Sequence, residues 1–247
     1  MGQAFTWATG LLESRATAFL PPHVFVAADD QERWATHGGP WSKYVDDLIK
    51  VSLDEVVGLH DGEARAQRLL TAARKLVDAL RAAGPDVGVW TPFGTRTSAF
   101  WASWGAMETA VDRVDAQLSL GQAPDTVHLS DDLSLDTLQF WLRGATSPDA
   151  AAFFGPRLAA MAGEGESFRF RAMGAAGAVR AEWLVLRTPK GLVMAAEDDG
   201  GRTGMTVSGR AGDLLMLLKR RVPMKEAAVD VQGDARLLEH WLENVLV

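Results

Sequence analysis

The stretch Phe100–Leu118, FWASWGAMETAVDRVDAQL, decides the fold. Phe100, Trp101, Trp104, Val111 and Leu118 recur at helical spacing. They predict an amphipathic helix over residues 97–120, stopped by Gly121. Glu108 follows Trp104 by four residues, Asp112 follows Glu108 by four, and Asp115 follows it by seven. One helix therefore carries three carboxylates along a stripe that is otherwise bulky and aromatic. Carboxylates at i and i+4 repel each other unless a cation answers them. Partial burial raises their pKa values as well. Two readings stay open. The acids pair with arginines of a neighbouring helix or stand in water at the stripe's edge. Alternatively, they line a polar pocket at the centre of a helix bundle that holds a ligand.

Outward from this segment, the first half of the chain keeps a helical period. A first helix is expected over residues 3–18, before Pro21-Pro22. A second starts after Ser42 as N-cap, with Val45, Leu48, Ile49, Leu53, Val56 and Val57 as its stripe. A third covers 62–83, with Leu69, Leu70, Leu76, Val77 and Leu80 on one side, and Gly84-Pro85 ends it. A shorter fifth spans 133–143. The period then changes to two. Residues 167–173, 182–188, 191–197 and 204–209 read as strands split by Gly- or Pro-bearing turns. A helix over 211–221, a strand over 228–231 and a terminal helix over 235–246 follow. This order predicts an α+β protein, with a helical bundle over 1–150 and an α/β domain over 160–247. Its sheet is expected to be mostly antiparallel, with helices on one side.

Composition narrows the function classes. Lys and Arg total 25 against 32 Asp and Glu, for a net charge of −7. The richest basic run is only Lys219-Arg220-Arg221, so nucleic acid is not an expected partner. There is no cysteine, which removes disulfides, thiolate metal sites and a Cys nucleophile. No run approaches the roughly 20 apolar residues of a membrane span, and the N-terminus lacks a signal peptide's basic region. The expectation is a cytoplasmic protein acting on a small molecule, without membrane contact, as a monomer or homodimer. No phosphate-binding loop, dinucleotide fingerprint or nucleophile elbow is present. Trp101 and Trp104 are candidates for an aromatic wall against a planar ligand, with core packing as the competing reading. By default the basic run is a solvated helix C-terminus, where cations offset the helix dipole. As a site, it would grip a carboxylate.

The segment VWTPFGTRTSAFWASWGAMETAVDRVDAQL, residues 89–118, resembles the signature of the mycothiol-dependent maleylpyruvate isomerases. The stretch MTVSGRAGDLLMLLKRRVPMKEAAVDVQGDARLLEHW, residues 205–241, is similar to the C-terminal part of the same family, and THGGPWS, residues 36–42, is a weaker echo. The resemblance implies a DinB-like four-helix bundle followed by a small domain of sterol-carrier-protein type. It also implies a zinc ion that activates the thiol of mycothiol. Its ligands would be a His on the second helix, then a Glu and a His four residues apart on the fourth. Carried over, the Glu is Glu108, but the following His position holds Asp112. No His lies near Ile49–Val51; His37 and His60 flank that helix instead. Asp115 matches the family's Asp, and Arg221 matches a substrate-binding Arg, with Arg220 one step away.

Zinc sites of this type need three protein ligands, so no metal and no other cofactor is expected here. Mycothiol and zinc remain the resemblance's alternative. The expectation is a divergent isomerase, cyclase or transferase. Glu108, Asp112 and Asp115 would be its acid/base groups, Arg221 the anchor for a carboxylate, and Trp101 and Trp104 the substrate wall. A non-catalytic small-molecule binder is the other alternative.

Overall fold

The computed structural model describes residues 2–18, 61–91, 93–148, 156–174, 177–195 and 203–245. The expected second helix, His37 and His60 lie outside these residues. The described residues form a mixed α+β structure with six α-helices and two sheets. The chain divides into two compact units, Met1–Gly105 and Ala106–Val247. The division expected at the change of period lies later, between 150 and 160.

In the first unit, α1 (Gly2–Ser14) packs along α2 (Gly62–Ala83). Asp61 caps α2 by accepting from the Glu63 amide at 2.9 Å. A short hairpin follows, β1 (Gly88–Thr91) against β2 (Gly94–Thr97), which the helical reading of this half did not anticipate. It leads into α3 (Ala99–Ser119), the helix of the opening stretch. The core gathers Phe5, Trp7, Leu11, Leu12, Leu76, Val89 and Trp101. Gly105 faces this packing, and a Cβ there would come into van der Waals contact with Leu76 Cδ2 at 3.4 Å.

In the second unit, α3 continues, followed by α4 (Asp131–Ala145), which Ser130 caps. A five-stranded sheet then runs in the order β5-β4-β3-β6-β7. Its strands are β3 (Ser167–Met173), β4 (Val179–Thr188), β5 (Gly191–Ala195), β6 (Thr203–Gly209) and β7 (Val229–Gly233). Every pairing is antiparallel except β3 with β6, which is parallel. Central β3 is buried along most of its length, as an inner strand must be. Phe168 and Phe170 share one face with their partners Val185 and Trp183. Trp241 of α6 (Ala235–Asn244) packs edge-on against both phenylalanines, and Trp141 of α4 meets Trp241. On the opposite face of the same strands, Glu182 binds both Arg169 and Arg171. Gly233, at φ 94, lets β7 close against β6, since a Cβ there would strike the Gly204 carbonyl oxygen.

The helix α5 (Ala211–Leu218) is apolar nearly all round and is correspondingly buried, packed on α4 and on β3 and β6. It ends three residues before the expected limit at 221. Arg221 N–H donates to the Met216 carbonyl and Arg220 N–H to the Leu217 carbonyl, both at 2.8 Å, with Arg220 at φ 58. That pair of bonds closes the helix. It also turns Lys219, Arg220 and Arg221 in three different directions.

Candidate functional site

The site is built where α3 and the end of α5 meet within the second unit. On α3 the buried residues of this unit are Met107, Ala110 and Val114, while Val111 and Leu118 are half-buried. The apolar face is thus rotated by about one residue from the stripe read in the sequence. Glu108, Asp112 and Asp115 each follow a member of that buried row or lie beside it. They therefore line its margin, half-buried rather than inward-facing.

The three acids differ in their surroundings. Asp115 takes the ion-pair reading. Its Oδ1 accepts from Arg221 Nε at 2.7 Å, and its Oδ2 accepts from Arg221 Nη2 at 2.6 Å. This bidentate fork is the strong geometry for Arg and carboxylate. Arg221 Nη1 also donates to the Lys219 carbonyl oxygen at 2.6 Å. Much of Arg221's donor set is committed inside the protein, which limits it as an anchor for a substrate carboxylate. Glu108 and Asp112 make no hydrogen bond to another described residue. Burial pushes the Glu108 carboxyl above the usual range; Lys219 opposes this, Asp112 adds to it and Arg221 opposes it. Burial also raises Asp112, with Asp115 adding and Arg221 opposing.

Lys219 is the residue that sequence reasoning passed over. It is 5% exposed. Its Nζ lies 5.3 Å from the centroid of the Trp141 ring, in cation–π range. Its ammonium is pushed down to about 8, by burial first; Glu108 opposes the shift, and Arg221 and Arg220 add to it. Glu108 is thus the chief opposing charge on Lys219, and Lys219 the chief one on Glu108. The only hint in the sequence was that the basic run follows the very apolar AGDLLMLL, which leaves little room for a wholly solvated helix end.

Asp115, Leu118, Lys219, Arg220 and Arg221 line a recess of about 390 Å³. A narrow crevice shares Lys219 and Arg221 with it and is walled by Val111, Val114, Leu129, Leu215 and Met216. Asp112 and Glu108 do not line the recess themselves; they stand about one and two turns, respectively, before Asp115 on the same helix. A larger groove of about 940 Å³ lies along α1 and α2 in the first unit. Its charged groups, Glu13, Arg15, Arg68, Lys75 and Asp78, are all exposed. Size alone does not make it the chemical site, since solvated charges gain no special reactivity.

Trp101 and Trp104 belong to the first unit's aromatic cluster. Trp101 is 1% exposed and donates its indole N–H to the Trp90 carbonyl at 3.1 Å. Trp7, Phe100 and Trp104 surround it edge-on or tilted, so no face is left for a ligand. Trp104 is half-buried, edge-on to Phe5 and Trp101.

The described residues do not fit the zinc ion that the resemblance implies. Glu108 and Asp112 are answered by the cations of Lys219 and Arg221, which repel a divalent ion. Among the described residues, no three His, Asp or Glu side chains converge on a common point. Likewise, no described helix is long and apolar enough to cross a membrane. No protein-family model matches the chain, and no curated protein matches it.

Proposed function

We propose that this protein is an acid–base enzyme acting on a small, carboxylate-bearing organic substrate, as an isomerase, cyclase or transferase. The fold behind this reading is the helical bundle and sterol-carrier-like domain of the isomerase family that the two long motifs resemble. One observation carries it: the Asp115–Arg221 fork and the inward-turned Lys219 bring the basic end of α5 to the acidic stripe of α3, where burial holds the Glu108 carboxyl above its usual range and the Lys219 amine below its own. Proton transfer is most efficient when donor and acceptor pKa values approach the working pH. Burial moves both groups in that direction. Glu108 then serves as the proton carrier and Asp112 tunes it from one turn away. The exposed guanidinium of Arg220 at the recess attracts the anionic end of the substrate, while Arg221 stays forked on Asp115. The basic end of α5 would thus supply recognition and the acidic stripe of α3 the chemistry.

The test is proton exchange next to a carbonyl. The protein is incubated with pyruvate or oxaloacetate in heavy water, and loss of the carbon-bound proton signal is followed by NMR. The wild type is expected to exchange these protons faster than buffer alone. Glu108→Gln should slow exchange by on the order of 100-fold and leave the circular dichroism spectrum unchanged. Asp112→Asn should give a smaller loss. Equal exchange by wild type and Glu108→Gln overturns the assignment.

A further inference from the structure

A cavity of about 200 Å³ opens at the start of α5, at the far end of that helix from the recess, and the two share no residue. Three segments line it: the turn Pro124–Thr126 with the residues leading into α4, the first turns of α5, and the turn Met224–Glu226. Val127, Leu129, Met216 and Val222 give it a buried apolar wall. A six-carbon ring fits an apolar space of roughly 150 Å³. The charged part of the lining is unbalanced, because Asp131, Asp213 and Glu226 face one guanidinium, that of Arg210. Arg210 leans on Asp131 at 3.6 Å, and Arg180 approaches the same carboxylate at 3.5 Å, so Asp131 is answered twice. Glu226 is exposed, with a loose pair to its neighbour Lys225 at 3.8 Å. The Asp213 carboxylate is half-buried and makes no hydrogen bond or ion pair to a described residue. Carboxylates taken out of water ordinarily have a partner.

We propose that this cavity binds a small organic ammonium ion, with its apolar body against Leu129, Met216 and Val222 and its N–H donors on Asp213 and Glu226. The two halves of the lining select that chemistry together. A bare metal ion would leave the apolar wall without a partner. An anion would meet two carboxylates that no cation fully answers, and a neutral hydrocarbon would leave Asp213 without a donor. An ammonium with an apolar body satisfies both halves, since charge-assisted hydrogen bonds to carboxylate are the strong ones. The dipole of α5 works against a cation at this end, but it amounts to about half a charge, against two carboxylates from separate segments. The electrostatics of Asp213 agree: burial raises its carboxyl, Arg210 and His128 oppose the shift, and Asp131 adds to it. A bound cation relieves that cost. The site uses none of the acid–base groups of α3, so it stands or falls separately from them.

The experiment is an NMR titration of the full chain with benzylammonium, using benzyl alcohol as the neutral match. The reporter is the ε-methyl of Met216, which lines the cavity, in protein with carbon-13 methionine methyls. Met216→Leu identifies its signal among the eight methionines. Benzylammonium at neutral pH is expected to shift that signal saturably, with about tenfold the affinity of benzyl alcohol. Asp213→Asn keeps the side chain's shape and should weaken benzylammonium by about tenfold while leaving benzyl alcohol unchanged. Glu226→Gln, at an exposed side chain, should weaken it by about threefold; it is the deciding variant where circular dichroism shows Asp213→Asn to be unfolded. A Met216 signal that stays still or moves without saturating overturns the proposal. So does an amine that binds no better than the alcohol, or one that binds the folded variants as tightly as the wild type.

Discussion

Lys219 and Glu108 each carry a charge that burial disfavours, and each is sustained in part by the other. The fall of the Lys219 ammonium from 10.5 to about 8 corresponds to on the order of 3 kcal/mol against the charged form. The Glu108 carboxylate lessens that fall. Removing its charge therefore lowers the Lys219 value further: in Glu108→Gln, NMR titration of the lysine ε-carbon should place Lys219 below its wild-type midpoint. An unchanged midpoint would mean that the two groups do not sense each other. At this scale the acids were legible as a group, because spacing alone puts Glu108, Asp112 and Asp115 on one side of a helix. Their separate fates were not legible. Asp115 found Arg221, 106 positions away along the chain, and no periodicity reports a partner at that distance. Lys219 was read as solvated because a Lys-Arg-Arg run ordinarily is.

Helix ends show the limit of sequence reading at the next scale. The closure of α3 is the familiar one: Gly121 at φ 80, with the Gln122 amide donating to the Gln117 carbonyl at 3.2 Å. Its stop was read correctly. Two other helices close with the same pattern of bonds but with arginine in the left-handed position, Arg15 at φ 49 after α1 and Arg220 at φ 58 after α5. Both ends were expected three or four residues too late, since no glycine announced them. A non-glycine residue in this conformation costs roughly 1 kcal/mol. Arg220→Gly should accordingly raise the stability in urea denaturation by about 1 kcal/mol, with the slope unchanged. A loss of stability would show instead that the Arg220 side chain contributes more than its backbone costs. The strands fared better. The limits of β3 were anticipated residue for residue and those of β6 within one, because Gly and Pro mark most of the turns around them. The hairpin of β1 and β2 was missed, since two four-residue strands are too short to establish a period of two.

For the whole molecule, a buried lysine makes stability depend on pH. The folded value of Lys219, about 8, lies below its ordinary value of 10.5. Between these limits the folded state binds fewer protons than the unfolded chain, so stability rises as pH increases through this window. The penalty is full below about 8 and gone above 10.5. Comparing wild type with Lys219→Met cancels the other titrations to first order. The wild type should gain on the order of 3 kcal/mol relative to the variant across that range, measured by urea denaturation at successive pH values. A constant difference would place the Lys219 ammonium in water. Glu108 and Asp112 act in the acid range. Their folded values are raised, so they favour the folded state as pH falls through those values towards their ordinary ones.

By itself, the sequence determined the α+β class, most element positions and the row of three carboxylates. All of these follow from periodicity and turn chemistry acting over a few neighbouring residues. Only the tertiary structure decided the rest. It made β3 and β6 parallel neighbours, rotated the buried face of α3 off the acids, and spent Arg221 on Asp115. It also carried Lys219 from an apparently solvated helix end into an apolar crevice beside Trp141. Pairing and burial depend on which segments meet, and chain neighbours do not encode that locally. The opening stretch supplied the acids; the fold supplied the amine that answers them.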